Sequence, residues 1–233
     1  MSPSRPARAL PAAALALAAV LYCSWLLGPL LNPALGLTHG YASELAARDQ
    51  PWHLVFGLGD VLTGVVAVVV GALLAVTSRG APRVAWLGLV FFGAATALDG
   101  GVTPMDCSPS TDAQCARLEG LGGLSWRHEA HSVTSSLAVA GGVVSLIAIL
   151  AVLRTPAWRR WGIAVAVVLL AGTVVTLVET IDPDATLGAW QRVQLVGLSG
   201  WLLLAAAVAA RPGSRAPRRD RPRPTTDAPG GSG

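Results

Sequence analysis

The chain has 233 residues, 53% of them hydrophobic and only 13% charged, with a positive mean hydropathy. A soluble domain is about one quarter charged, so the composition excludes a water-soluble globule and points to membrane lipid as the solvent. The net charge of +4 comes from arginine alone and lies largely in the C-terminal tail; beside a membrane such a tail reflects topology and attraction to anionic lipid, and no nucleic-acid partner is expected.

Residues 1–9 carry two arginines and read as a cytoplasmic N-terminus. The apolar run that follows, Leu10 to Leu27, is longer than the roughly 7–15 residues of a signal-peptide core and has no small-x-small cleavage site, so it reads as a retained first helix. Six stretches, 10–30, 54–77, 84–101, 129–153, 161–181 and 188–210, approach the roughly 20 helical residues that cross a bilayer. Gly28-Pro29, Asn32-Pro33, Ser78-Arg79-Gly80-Ala81-Pro82, Thr155-Pro156 and Asp182-Pro183-Asp184 punctuate them. The segment 39–50, with Glu44 and Arg48 four apart, reads as a short amphipathic helix on the outer surface. Gly57, Gly59, Gly64 and Gly71 in the second span, and Gly141, Gly142 and several serines in the fourth, favour close backbone approach and predict that these two helices are central. Trp25, Trp52, Trp126 and Trp190 fall near one interface; Trp86, Trp158 and Trp161 fall near the other. Residues 211–233, rich in Pro, Arg, Gly and Thr, read as a disordered basic cytoplasmic tail.

The loops alternate in charge. Segments 1–9, 78–83, 154–160 and 211–233 hold 13 of the 17 arginines, whereas the opposite side holds all four histidines and 11 of the 13 acids. The positive-inside rule places both termini in the cytoplasm. The predicted fold is therefore all-α: a polytopic six-helix bundle spanning 10–210.

That asymmetry also places the chemistry, because the inner face offers only arginine. Asp60 lies about 9 Å into the second span at 1.5 Å per residue. Asp99 closes the third, Glu179 and Asp182 the fifth, and Arg192 opens the sixth. His128 and His131 share a face at the start of the fourth, which Ser132 and Ser135 continue inward. Ionisable groups inside spans are costly and need partners. One reading is an outward polar pocket; the other is a helix-end network in which Arg192 neutralises one or two acids. No cofactor is required; the alternative is zinc held by His128 and His131 with Asp60 or Asp99, although an HxxH spacing alone is common. Cys107 and Cys115 lie in an oxidising outer loop, which favours a disulfide over a zinc site formed with the two histidines.

The strings Tyr41-Ala42-Ser43-Glu44-Leu45, Phe56-x-x-Gly59-Asp60-x-x-x-Gly64, Asp99-Gly100 with Pro104-x-Asp106-Cys107, and Ser125-x-x-His128-x-x-His131 resemble the domain-of-unknown-function 998 family of prokaryotic membrane proteins. The resemblance covers about residues 10–210, with a more distant likeness to Frag-type six-helix proteins, some of them linked to lipid-anchor handling. It implies the six-helix fold and motif residues on the outer side, and supplies no reaction. The pocket expected from residues and motifs together comprises Glu44, Asp60, Asp99, Asp106, Ser125, His128, His131, Glu179 and Arg192. The expected function is binding or sensing of a lipid or small amphipathic ligand at the bacterial plasma membrane. The alternative is a membrane-embedded hydrolase acting on a lipid-linked substrate through a metal or through acid and base groups. The inner halves of the spans lack acids and histidines, which argues against a proton relay.

Overall fold

The computed structural model describes residues 5–181 and 186–211. Asp182 and the tail beyond Arg211 lie outside the described residues. These contain helix and no strand: α1 (Arg5–Tyr22), α2 (Gly28–Leu31), α3 (His53–Thr77), α4 (Ala81–Gly101), α5 (Ala113–Gly120), α6 (Trp126–Val152), α7 (Pro156–Glu179) and α8 (Leu187–Ala209). Six segments are long and apolar enough to cross a membrane: Ala9–Leu31, His53–Thr77, Ala81–Gly101, Trp126–Val152, Pro156–Glu179 and Leu187–Ala209. The protein is a multi-pass membrane protein. Its first span is interrupted, because α1 passes into a 3-10 turn at Ser24–Leu27 before α2.

Membrane helices consecutive in sequence run antiparallel. In α3 and α4, a Cβ at Gly64 would stand 2.4 Å from the carbonyl oxygen of Gly93, and one at Gly93 would stand 2.5 Å from that of Gly64. Only hydrogen fits at this crossing. The same close approach joins α4 to α6, where a Cβ at Gly141 would meet the Phe92 amide nitrogen at 2.6 Å. Tyr22, Phe92 and Trp201 then stack edge to face, at 5.5 and 4.9 Å between centroids, tying α1, α4 and α8 together. The Trp201 indole is fully buried, and its N–H is satisfied by Ser145 Oγ at 3.1 Å.

The small residues thus act as expected, but the central helices differ from the expectation. α8 is the most enclosed of the six, followed by α4, which lies between α3 and α6. A run of small residues marks where a helix is approached, not how many neighbours surround it. Trp86, five residues into α4 at the arginine end, is buried against its neighbours, 5% exposed. The outer-surface helix read over 39–50 is instead a 3-10 turn, Ala42–Ala46, whose Glu44 is buried.

Polar segments gather at the helix ends. One end carries Arg79, Arg83, Arg154, Arg159 and Arg160, with Arg211 stacked 4.2 Å over the Trp158 ring. The other carries the loops 32–52 and 102–125. These are fastened by Asn32 Nδ2 donating to Gln50 Oε1 at 2.9 Å and by the Arg48 amide donating to the Met105 carbonyl at 2.9 Å. The Cys107 and Cys115 sulfurs lie at disulfide-bonding distance, with Cα atoms 6.0 Å apart.

Candidate functional site

Among membrane helices consecutive in sequence, α6 and α7 pack least closely. They meet near the arginine end, where Gly162 contacts Leu150 and Leu153. Toward the histidine end a cleft of about 360 Å³ lies between them, bounded also by α8 and by residues of both polar loops. Ser132, Ser136, Leu177 and Thr180 in its wall are exposed, so it opens through the side of the bundle. Its size falls within the range of small-ligand pockets, about 300–1,000 Å³. A smaller cavity of about 80 Å³ lies behind it, lined by Asp60, Asp99, Thr96 and Trp25; Ser135, Gln191 and Gln194 border both.

The partition between the cavities is a hydrogen-bonded cluster joining α4 to α6. His131 Nδ1 lies 3.1 Å from Asp99 Oδ1 and 3.2 Å from the Thr103 carbonyl oxygen. Both neighbours are acceptors, so Nδ1 carries the proton. Ser135 Oγ lies 3.1 Å from each Asp99 oxygen and 3.4 Å from His131 Nε2, and Thr134 Oγ1 also donates to Asp99. The i, i+4 spacing on α6 sets Ser135 one turn below His131. Asp99 projects from the last turns of α4, close to α6 because Gly88 and Gly141 allow that approach.

His128 has a different role. Its Nδ1 accepts from the Asp106 amide at 3.2 Å, so its Nε2 carries the proton and faces Glu119 Oε1 at 3.3 Å. Asp106 in turn accepts from the Ser125 amide at 2.7 Å and hydroxyl at 2.8 Å, holding the loop at the start of α6. Burial raises the Asp106 carboxyl, but the two Ser125 hydrogen bonds, with the neighbouring His128 and Arg48, outweigh it and hold the group below its ordinary value.

The expected pocket residues therefore separate. His131 and His128 line the larger cavity, and Asp60 and Asp99 the smaller. Asp106 and Ser125 pin the loop above. Glu44 is an anchor between loops, accepting from the Tyr41 amide at 2.8 Å, the Ser110 amide at 3.0 Å and the Ser108 and Ser110 hydroxyls. Glu179 lines neither cavity and accepts from Thr186 Oγ1 at 3.2 Å. Among the described residues, Arg192 forms no ion pair with an acid. Its guanidinium donates to the carbonyls of Leu37, Gly40 and Gly188 at 2.8–2.9 Å and of Gly36 at 3.4 Å, clamping the 36–40 loop onto the start of α8. Main-chain carbonyls can satisfy a buried cation, and a sequence carries no mark of that choice.

Among the described residues, no group of three or more His, Cys, Asp or Glu side chains converges as a metal-ligand set. His128 and His131 turn to different partners, and Asp60 does not complete a set with them.

Sequence reasoning missed much of the cleft wall: Thr173, Thr176 and Thr180 on α7, Gln191 and Gln194 on α8, Tyr41 and Glu119. A signal was present. The threonines recur at i, i+3 and i+7, a single helical face, and two glutamines three apart in an apolar span share a face as well. Burial raises the Tyr41 phenol; the Thr180 hydroxyl lowers it, and Glu119, Glu44 and Glu179 add to the rise. The phenol is therefore a protonated donor at neutral pH.

The family model described as "Protein of unknown function (DUF998)" matches residues 12–208, and the chain belongs to that family. No curated protein and no solved structure matches it.

Proposed function

We propose that this protein binds a lipid, or a small amphipathic molecule of similar form, in the cleft between α6 and α7. The observation that carries the reading is a side opening with a polar end and apolar flanks. Hydroxyls and amides cluster toward the histidine end, while Leu137 on α6 and Leu170 and Val174 on α7 are exposed along the same helices, where acyl chains could lie. A ligand entering sideways keeps its chains in lipid and buries only its head. We place the histidine end outside the bacterial plasma membrane, because arginine dominates the opposite end. A single cysteine replacing Asp112 should then react with an impermeant thiol reagent in intact cells, and one replacing Arg159 should not; the reverse pattern would invert the topology.

The direct test is retention of lipid by the purified full chain, read by native mass spectrometry. Ser136→Trp, which fills the opening, should abolish retention. Leu73→Trp, on the exposed face of α3 away from the cleft, should leave it intact. Equal retention by both variants would remove the cleft from the reading.

The Asp99–His131–Ser135 order supports a second reading, hydrolysis of an ester in the bound molecule. Ser135 Oγ would attack the carbonyl carbon while His131 Nε2 takes its proton. The leaving alcohol would depart with that proton, and water would then release the acyl group. A fluorophosphonate probe should label Ser135 and not Ser135→Ala; an unlabelled protein would leave binding alone.

A further inference from the structure

The cleft wall specifies what kind of head group it accepts, an inference that rests on the binding role just proposed. Several of its hydroxyl protons are already engaged, while Ser43, Ser132 and Thr176 donate to no partner among the described residues. Ser136 donates to the Ser132 carbonyl at 2.7 Å, Thr180 to the Thr176 carbonyl at 2.8 Å and Thr173 to the Leu169 carbonyl at 2.8 Å. Ser135 donates toward Asp99. These oxygens therefore turn lone pairs, not protons, toward the cavity.

Most of the wall's N–H and phenol donors are engaged as well, Gln191 and Gln194 each keeping one amide proton with no acceptor among the described residues. Gln194 Nε2 donates to Thr173 Oγ1 at 3.0 Å. Because the Thr180 proton goes to Thr176, the Tyr41 phenol is the donor in its 3.2 Å contact with Thr180. His128 turns its N–H to Glu119, and His131 turns its own to Asp99 and Thr103. One hydroxyl, Thr176 Oγ1, is buried and has no partner among the described residues.

Charge points the same way. No arginine lines the cleft, and Glu119 does. The nearby cations are engaged elsewhere, Arg192 by backbone carbonyls and Arg127 over the Trp126 ring at 5.7 Å. A phosphate, which offers only acceptors and negative charge, would meet several lone pairs and a carboxylate, with no arginine in the lining to neutralise it. A sugar hydroxyl can donate to those lone pairs and accept from Thr176.

We infer that the cleft selects an uncharged, hydroxyl-rich head group, such as a hexose carried on diacylglycerol, over an anionic phosphate head group. The test uses the full chain in phosphatidylcholine nanodiscs, free of sugar detergents. The discs are doped with equal amounts of monoglucosyl diacylglycerol and phosphatidylglycerol of the same acyl chains, and retained lipid is read by native mass spectrometry. The expected result is at least about tenfold enrichment of the glucosyl lipid over phosphatidylglycerol. Thr176→Val should reduce that enrichment by roughly twofold to tenfold, the effect of one neutral hydrogen bond. Equal or greater retention of phosphatidylglycerol would overturn the head-group inference and leave the cleft as a lipid site. Retention of neither above its bulk fraction would overturn the binding role itself, and this inference with it.

Discussion

The two sides of α6 differ in how small and hydroxylic residues are used. Toward α4, Gly141 and Gly88 remove side chains so that backbones touch. Toward α7, Ser132, Ser136 and the α7 threonines keep short side chains at a distance and line an open cleft. Both faces look alike in size and hydropathy. What separates them is whether the partner helix offers a glycine opposite. In lipid, where helix association depends on packing more than on burial from water, that complementarity decides which seam closes and which stays open to a ligand.

The sharpest way to break the comparison is at the sealed α3/α4 crossing. Gly64→Val forces a side chain against the Gly93 carbonyl and should cost about 3 kcal/mol, the upper part of the usual overpacking range. Ser132→Val, exposed in the cleft wall, should stay within about 0.5 kcal/mol. Thermal unfolding in one detergent measures both. Similar losses would mean that the two seams are not different in kind.

Next in size is the loop that roofs the cleft. Replacing Cys107 and Cys115 together by serine should remove about 2–3 kcal/mol of crosslink stabilisation. Met105 and Glu119 of this loop line the cleft, so hydrogen exchange should rise across 102–125 while α3 and α4 keep their protection.

Acid should act on the same loop. The Asp106 carboxyl is held below its ordinary value, so its contribution to stability is fully present above the unfolded value of about 3.9. It is lost as pH falls through the lower folded value. Asp106→Asn should therefore flatten the acid limb of the stability curve below about pH 4 and leave the limb above neutrality unchanged. An unaltered acid limb would show that the Ser125 contacts do not persist in solution.

The smallest stability effect is expected at Thr176→Val. A buried hydroxyl without a partner is removed in favour of a methyl of similar shape, so unfolding should shift by no more than about 0.5 kcal/mol, or stability should rise slightly. A marked destabilisation would mean that this hydroxyl has a structural partner and is not open to a ligand.

The six helices were legible because about 20 apolar residues bounded by Pro, Gly and charge leave few alternatives in a bilayer. That His131 and Asp99 need partners was legible from the cost of intramembrane charge; that they find each other is read from the structure. Other features depended on contacts far apart in sequence. Glu44 and Arg48 have the spacing of a surface helix, yet Glu44 is buried by Ser108 and Ser110, more than sixty residues away. Arg192 looked like a counter-charge because acids were the visible candidates; its actual partners are carbonyls, which every residue possesses. The cleft lay in the pattern of Thr173, Thr176 and Thr180, but a threonine face is ordinary in a membrane helix, and only the separation of α6 from α7 gives it an opening.

The most direct measurement is photocrosslinking with a diazirine placed near the head of a diacyl lipid, followed by peptide mapping. The account predicts crosslinks concentrated on α6 between Ser132 and Val139 and on α7 between Thr173 and Thr180, lost in Ser136→Trp. Crosslinks spread evenly over the exposed apolar faces of α3, α4 and α7, and unchanged by Ser136→Trp, would contradict it.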